Sequence, residues 1–152
     1  MHQTYLMKVL LILIVSFILL PSSVWLTNFK NAEKIAVEKH QLILLNFSGS
    51  DWCGPCIRLK KEFFQSSTFN EYADINLVLV NADFPRSNKN KLSKDQVKEN
   101  EALADKYNSK GKFPLSLLLN EKGIVLKEWE GLPTTSPQQF VQEIKILHDS
   151  NK

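Results

Sequence analysis

The sequence predicts a single α/β domain in which a mixed central sheet is flanked by helices. Three observations point there. Leu42-Ile43-Leu44-Leu45-Asn46-Phe47 and Leu77-Val78-Leu79-Val80-Asn81-Ala82-Asp83 are short, nearly continuous apolar runs, the pattern of strands covered on both faces. Segments with apolar residues at helical spacing alternate with them, which implies parallel pairing through helical crossovers. A further run, Leu115 to Leu119, is joined to Ile124–Trp129 by Asn120-Glu121-Lys122-Gly123, a hairpin that adds an antiparallel edge. At 152 residues the chain can bury a core without disulfide staples.

Each element has its own signal. Phe29, Ala32, Ile35 and Ala36 recur at helical spacing, which predicts a helix from Phe29 to Lys39 with His40 favouring its C-terminus. Ser48-Gly49-Ser50-Asp51 reads as a turn. Pro55 fits only the first turn of a helix, where its missing N–H costs nothing. Ile57, Leu59, Phe63 and Phe64 carry that helix to about Gln65, the two phenylalanines as core. Pro85 to Lys91 is a polar loop whose charges, Arg86, Lys89 and Lys91 together with Lys94, read as a solvated face, with docking of an acidic partner as the alternative. Ser93 caps a helix to Tyr107 with Val97, Ala102, Leu103, Ala104 and Tyr107 inward. Asn108 to Lys112 is a turn. Ser136-Pro137 opens a last helix with Phe140, Val141, Ile144 and Leu147 on its apolar face. Trp129 reads as packing.

The first 24 residues are different in kind. Lys8 precedes an apolar run from Val9 to Leu20, followed by Pro21-Ser22-Ser23, the layout of a secretory signal. The cleavage pattern is poor. Apolar character continues through Val24-Trp25-Leu26, so a retained membrane anchor with Lys8 snorkelling is the alternative. A buried globular helix is the third reading. Either of the first two places the domain, residues 25–152, outside the cytoplasm, in a bacterial periplasm, soluble or anchored to the inner membrane. No cysteine follows the run to take a lipid.

The net charge of +3 is too weak for a nucleic-acid footprint. The two cysteines, Cys53 and Cys56, close too small a loop to stabilise the fold by constraining the unfolded chain. Reactivity explains them better. At a helix start they share one side. There the free N–H groups and the macrodipole favour a thiolate at Cys53, while Cys56, one turn in, is placed to displace whatever Cys53 captures. Zinc would need about four ligands, and His2, His40 and His148 are scattered. An inert thiol pair is the remaining bland reading.

Trp52-Cys53-Gly54-Pro55-Cys56 is identical to the active-site run of the thioredoxin superfamily, which the chain resembles from about residue 29 to 149. Phe113-Pro114, Asn81-Ala82-Asp83, Gly123 and Gly131 fit the same pattern. The likeness is strongest to bacterial extracytoplasmic members with a Phe-Ser-Gly-Ser-Asp-Trp-Cys approach. The resemblance implies a thioredoxin-like fold and dithiol–disulfide exchange on protein substrates without a cofactor or metal, Cys53 attacking and Cys56 resolving. It further implies a cis Pro114 against the disulfide, Phe113 backbone pairing with substrate, and Trp52 covering the site. Gly54-Pro55 implies a reducing couple, so reduction is favoured over oxidation and a membrane thiol-electron transporter is the implied donor. Two departures stand out. Asn46 occupies the place of the family's buried acid, with a turn one residue longer after it, and an apolar residue near Leu79 replaces the lysine partner. Asp51 is left to tune Cys53 or to shape the turn. The alternative function is a non-catalytic, redox-switched binding module of the same fold. A peroxide-reducing enzyme is disfavoured by the Gly-Pro insert.

Overall fold

The computed structural model describes residues 23–151, so the N-terminal signal or anchor, residues 1–22 of it, lies outside the described residues. The elements are β1 (Trp25–Leu26), α1 (Phe29–Lys39), β2 (Leu42–Ser48), α2 (Gly54–Leu59), a π turn (Lys60–Phe64), α3 (Ser67–Asn76), β3 (Leu77–Asp83), a 3-10 turn (Asn88–Asn90), α4 (Lys94–Tyr107), β4 (Leu115–Leu119), β5 (Val125–Glu130) and α5 (Pro137–Ser150). The strands form one sheet of order β1-β3-β2-β4-β5. β1, β3 and β2 run parallel, β4 is antiparallel to β2, and β5 is antiparallel to β4. The α/β prediction and the antiparallel hairpin both hold.

Strand alternation divides the core between the two faces of the sheet. Ile43, Leu45 and Phe47 of β2 pack with Phe29, Ala32 and Ala36 of α1 and Leu103 of α4. Leu42 and Leu44 face the other way, onto Phe63, Phe64, Phe69, Phe140 and Ile144. Every residue of β2 is buried, which is why it reads as a continuous apolar run. The capping signals hold as well. Ser93 accepts from Gln96 N–H, and Ser136 forms a reciprocal box with Gln139 behind Pro137.

The structure differs from the sequence reading in four places. The sequence pattern does not predict helix α3. Its residues include Ser67, Thr68, Asn70, Asp74 and Asn76, all weak helix formers. It is held instead by the Ser66 cap and by burial of Phe69 and Ala73. β1 spans two residues, too few to leave a pattern. The helix begun by Pro55 widens after Leu59, where Gln65 N–H reaches Lys60 O at 3.0 Å, five residues back. On α4, Val97 and Ala102 face outward, because Asn100 takes the inward position between them and donates to Asp83 O at 2.7 Å.

The register fixes where the site lies. Ser48 and Asp83, the last residues of parallel strands β2 and β3, are paired. Leu115, the first residue of antiparallel β4, pairs with Phe47. The turn after β2, the loop after β3 and the segment before β4 therefore meet at one end of the sheet, the carboxyl end of its parallel strands, where α/β sheets present their sites.

Candidate redox site

The chain leaves β2 through a tight turn in which Trp52 N–H and Cys53 N–H both reach Gly49 O, at 3.3 and 2.9 Å. Cys53 is the N-cap of α2. Its backbone is extended, its carbonyl takes the first helical bond from Ile57 N–H at 3.1 Å, and its Sγ accepts from Cys56 N–H at 3.3 Å. Pro55 sits in the first turn, as its missing donor requires. Cys53 and Cys56 are disulfide-bonded with Cα atoms 5.2 Å apart. Both are 5% exposed, while Gly54 and Pro55 between them are open to solvent. On reduction the Cys53 sulfur is left at a helix N-terminus with an N–H donor already aimed at it. Both features favour the thiolate, the form that attacks disulfides.

Trp52 ties the pair to the two neighbouring segments. Its Nε1–H donates to Phe84 O at 2.7 Å, and its ring meets Phe113 edge-on at 5.5 Å between centroids. Phe84 and Phe113 make a second edge-on contact at 5.5 Å. The Phe113–Pro114 bond is cis, and Pro114 O accepts from Gly131 N–H at 2.9 Å. The indole lies so close over Gly49 that a Cβ there would run into its ring atoms. Glycine at this position is a requirement of Trp52 packing rather than of the turn alone.

Asp51 faces the loop after β3. Its carboxylate accepts from Arg86 N–H, Ser87 N–H and Asn90 Nδ2, at 2.9, 2.9 and 3.0 Å. The Arg86 N–H bond, followed by those of Ser87 and Asn90, holds the Asp51 carboxyl below its ordinary range. These contacts tie the turn that bears Asp51 to the loop after β3.

Behind Cys56 lies a half-open cavity of about 300 Å³ lined by Cys56, Asn46, Ser48, Ser50, Asn81 and Lys60, with Trp25, Ile57 and Phe64 as its apolar walls. Its polar wall is a continuous network. Ser116 Oγ donates to Asn46 Oδ1 at 3.0 Å, Asn46 Nδ2 to Asn81 Oδ1 at 2.9 Å, and Ser48 Oγ lies within reach of both Asn81 Oδ1 and Asp83 Oδ1, at 3.1 and 3.0 Å. Asn46 is thus a neutral amide hydrogen-bonded through both Oδ1 and Nδ2, and an amide has no proton-accepting role at neutral pH.

The fold thus assembles Asp51, Trp52, Cys53, Gly54, Pro55, Cys56, Phe113 and Pro114 from the end of β2, the start of α2 and the approach to β4. The sequence reading gives no site role to Gly49, Phe84 or the Ser48–Asn81 pair: Ser48 and Gly49 read there as turn residues and Asn81 as the end of a strand.

A parallel-plus-hairpin sheet with a Cys-Gly-Pro-Cys disulfide at the N-terminus of the helix that follows β2 and a cis-proline before β4 defines a thioredoxin-like domain. The chain belongs to that family: residues 29–147 match the model of the thioredoxin-like domain. It is 33% identical over 96 residues to the disulfide bond reductase DsbH of Chlamydia pneumoniae, covering 63% of this chain and 56% of that one. It is also 33% identical over 63 residues to the thioredoxin-related protein DsbJ of the same organism, covering 41% of this chain and 18% of DsbJ. The chain therefore spans about half of DsbH and a fifth of DsbJ. A solved DsbH oxidoreductase superposes with a TM-score of 0.74 at 28% identity, over 83% of this chain and 84% of that one.

Proposed function

We propose that the chain is a thiol–disulfide oxidoreductase that reduces disulfides of protein substrates. The observation that carries this reading is the Cys53–Cys56 disulfide itself, capping a helix at the open end of the sheet. In the reduced state the Cys53 thiolate attacks one sulfur of a substrate disulfide. A mixed disulfide forms and the other substrate sulfur leaves as a thiolate, which takes up a proton. Cys56, losing its proton to solvent in the cavity beside it, then attacks Cys53 Sγ. The second substrate sulfur leaves, and two electrons have passed from the Cys53–Cys56 dithiol to the substrate. A thiol reductant must return them before the next turnover.

Reduction is favoured over oxidation by the Gly54-Pro55 insert and by the likeness to a disulfide bond reductase. In this reading residues 1–24 target or anchor the domain 25–152 outside the cytoplasm. The electron donor is then a membrane thiol-electron transporter. Trp52, Phe113 and Pro114 form the substrate-facing rim, while Asp51 holds the adjoining loop.

Insulin reduction driven by a small dithiol tests the proposal. Wild type should accelerate it, and Cys53→Ser or Cys56→Ser should return the rate to background. Cys56→Ser should in addition hold substrate as a mixed disulfide on Cys53, visible by mass spectrometry. Turnover that survives Cys53→Ser would refute the assignment of the nucleophile.

A further inference from the structure

The run Pro85 to Lys94 reads from sequence as a solvated basic face, but the fold separates one member from the rest. The Arg86 guanidinium carbon lies 3.7 Å from the centroid of the Trp52 ring. Stacking on an aromatic face fixes a guanidinium's plane while leaving its N–H edge free to pair with a planar anion. The backbone beneath it is fixed too. Arg86 N–H and Ser87 N–H are both held by Asp51, and Trp52 Nε1–H holds Phe84 O.

Among the described residues the Arg86 side chain forms no ion pair. The Asp51 carboxylate accepts from the backbone N–H of Arg86, from Ser87 and from Asn90 and forms no ion pair with the guanidinium. Residues 84–94 contain Arg86, Lys89, Lys91 and Lys94, and the acids nearest them are Asp51, Asp83 and Asp95, so the loop carries a slight excess of positive charge. An exposed guanidinium, seated on Trp52 and without an ion pair among the described residues, thus stands on the residue adjoining Cys53.

Resting on the reductase reading, we propose that Arg86 is a specificity determinant: its guanidinium, seated on Trp52, binds a carboxylate flanking the disulfide of the substrate protein. The partner class is a protein with Asp or Glu beside its reducible cysteine. Arg86 does not touch the reacting sulfurs, so its effect falls on substrate binding and on which substrates are taken.

The test uses two peptides with the same intramolecular disulfide, one with Glu and one with Gln next to its first cysteine. The readout is the ratio of their kcat/KM values on one preparation. Partial misfolding cancels in that ratio, because both peptides meet the same molecules. Wild type should prefer the Glu peptide by about fivefold at low salt, the upper range for a solvent-exposed ion pair. The preference should lie in KM and fade toward unity near 1 M salt, where screening is short-ranged. Arg86→Gln should bring the ratio to about one, and Arg86→Lys should restore part of it. An unchanged ratio in Arg86→Gln, or a wild-type ratio of one, overturns the inference while leaving the reductase reading intact. No reduction of either peptide by wild type overturns the reductase reading and this inference with it.

Discussion

Replacing Asn46 by Asp puts a carboxyl where this chain carries an amide, and the network around it determines the outcome. Asn46 is 5% exposed, with Oδ1 receiving Ser116 Oγ–H and Nδ2–H donating to Asn81 Oδ1. An ionised carboxylate would set an oxygen against the Asn81 carbonyl oxygen, which also faces the Ser48 hydroxyl. A protonated carboxyl, by contrast, donates to Asn81 as the amide does. Burial and the loss of a donor both disfavour the charge, so the introduced group titrates above its unfolded value of about 3.9. A raised folded value makes the variant close to wild type below about pH 4, with a deficit that grows as pH rises from the unfolded value and is complete once pH has passed the folded value. A shift of about 2–3 units, at about 1.4 kcal/mol per unit, gives a deficit of about 3–4 kcal/mol at pH 7. Urea unfolding of both proteins between pH 4 and 8 measures the difference directly. A deficit that does not change with pH would show that the network tolerates charge at this position, and the account of Asn46 as an enforced neutral group would fall.

Two further outcomes follow from the packing. Phe69 is fully buried on α3, with ring contacts to Trp25, Phe64 and Phe140. Phe69→Ala should cost about 3–5 kcal/mol and lower Tm by about 10–20 °C. A loss below about 1 kcal/mol in calorimetry would mean that α3 does not depend on this anchor. Asp51→Ala should release the loop after β3, so that the Arg86 and Ser87 amides exchange with solvent faster than in wild type. Because loop donors hold the Asp51 carboxyl low, the wild-type clamp persists above its ordinary range and opens as pH falls through the depressed value. Equal protection in the two proteins at pH 6 would show that the loop is held by other contacts.

The contrast between β2 and α3 shows what the sequence made legible. β2 is apolar at nearly every position because both sheet faces are covered, and that requirement is written in the residues themselves. α3 is composed largely of poor helix formers, and it is helical because Phe69 must meet three aromatic rings contributed by β1, the π turn and α5. Those partners lie 5 to 71 positions away, beyond any local window. The same reason explains Val97. Its spacing suits an inward face, but Asn100 is drawn inward by the free carbonyl of Asp83 at the end of β3, and this turns the helix.

The site divides along the same line. Cys53, Pro55 and Cys56 announce themselves because helix start, nucleophile and resolving thiol fall within four residues, and the local geometry alone requires their types. Asp51 is adjacent in sequence and yet undecidable there, since the donors that engage it lie 35 to 39 positions downstream. Trp52 and Asp51 grip one loop from neighbouring positions, through Phe84 O and through the amides of Arg86 and Ser87. The turn bearing the disulfide and the loop bearing Arg86 are therefore mechanically joined. The guanidinium's place over Trp52 is set by the same two residues that shape the approach to the nucleophile, so altering either one should disturb the choice of substrate as well as the turn.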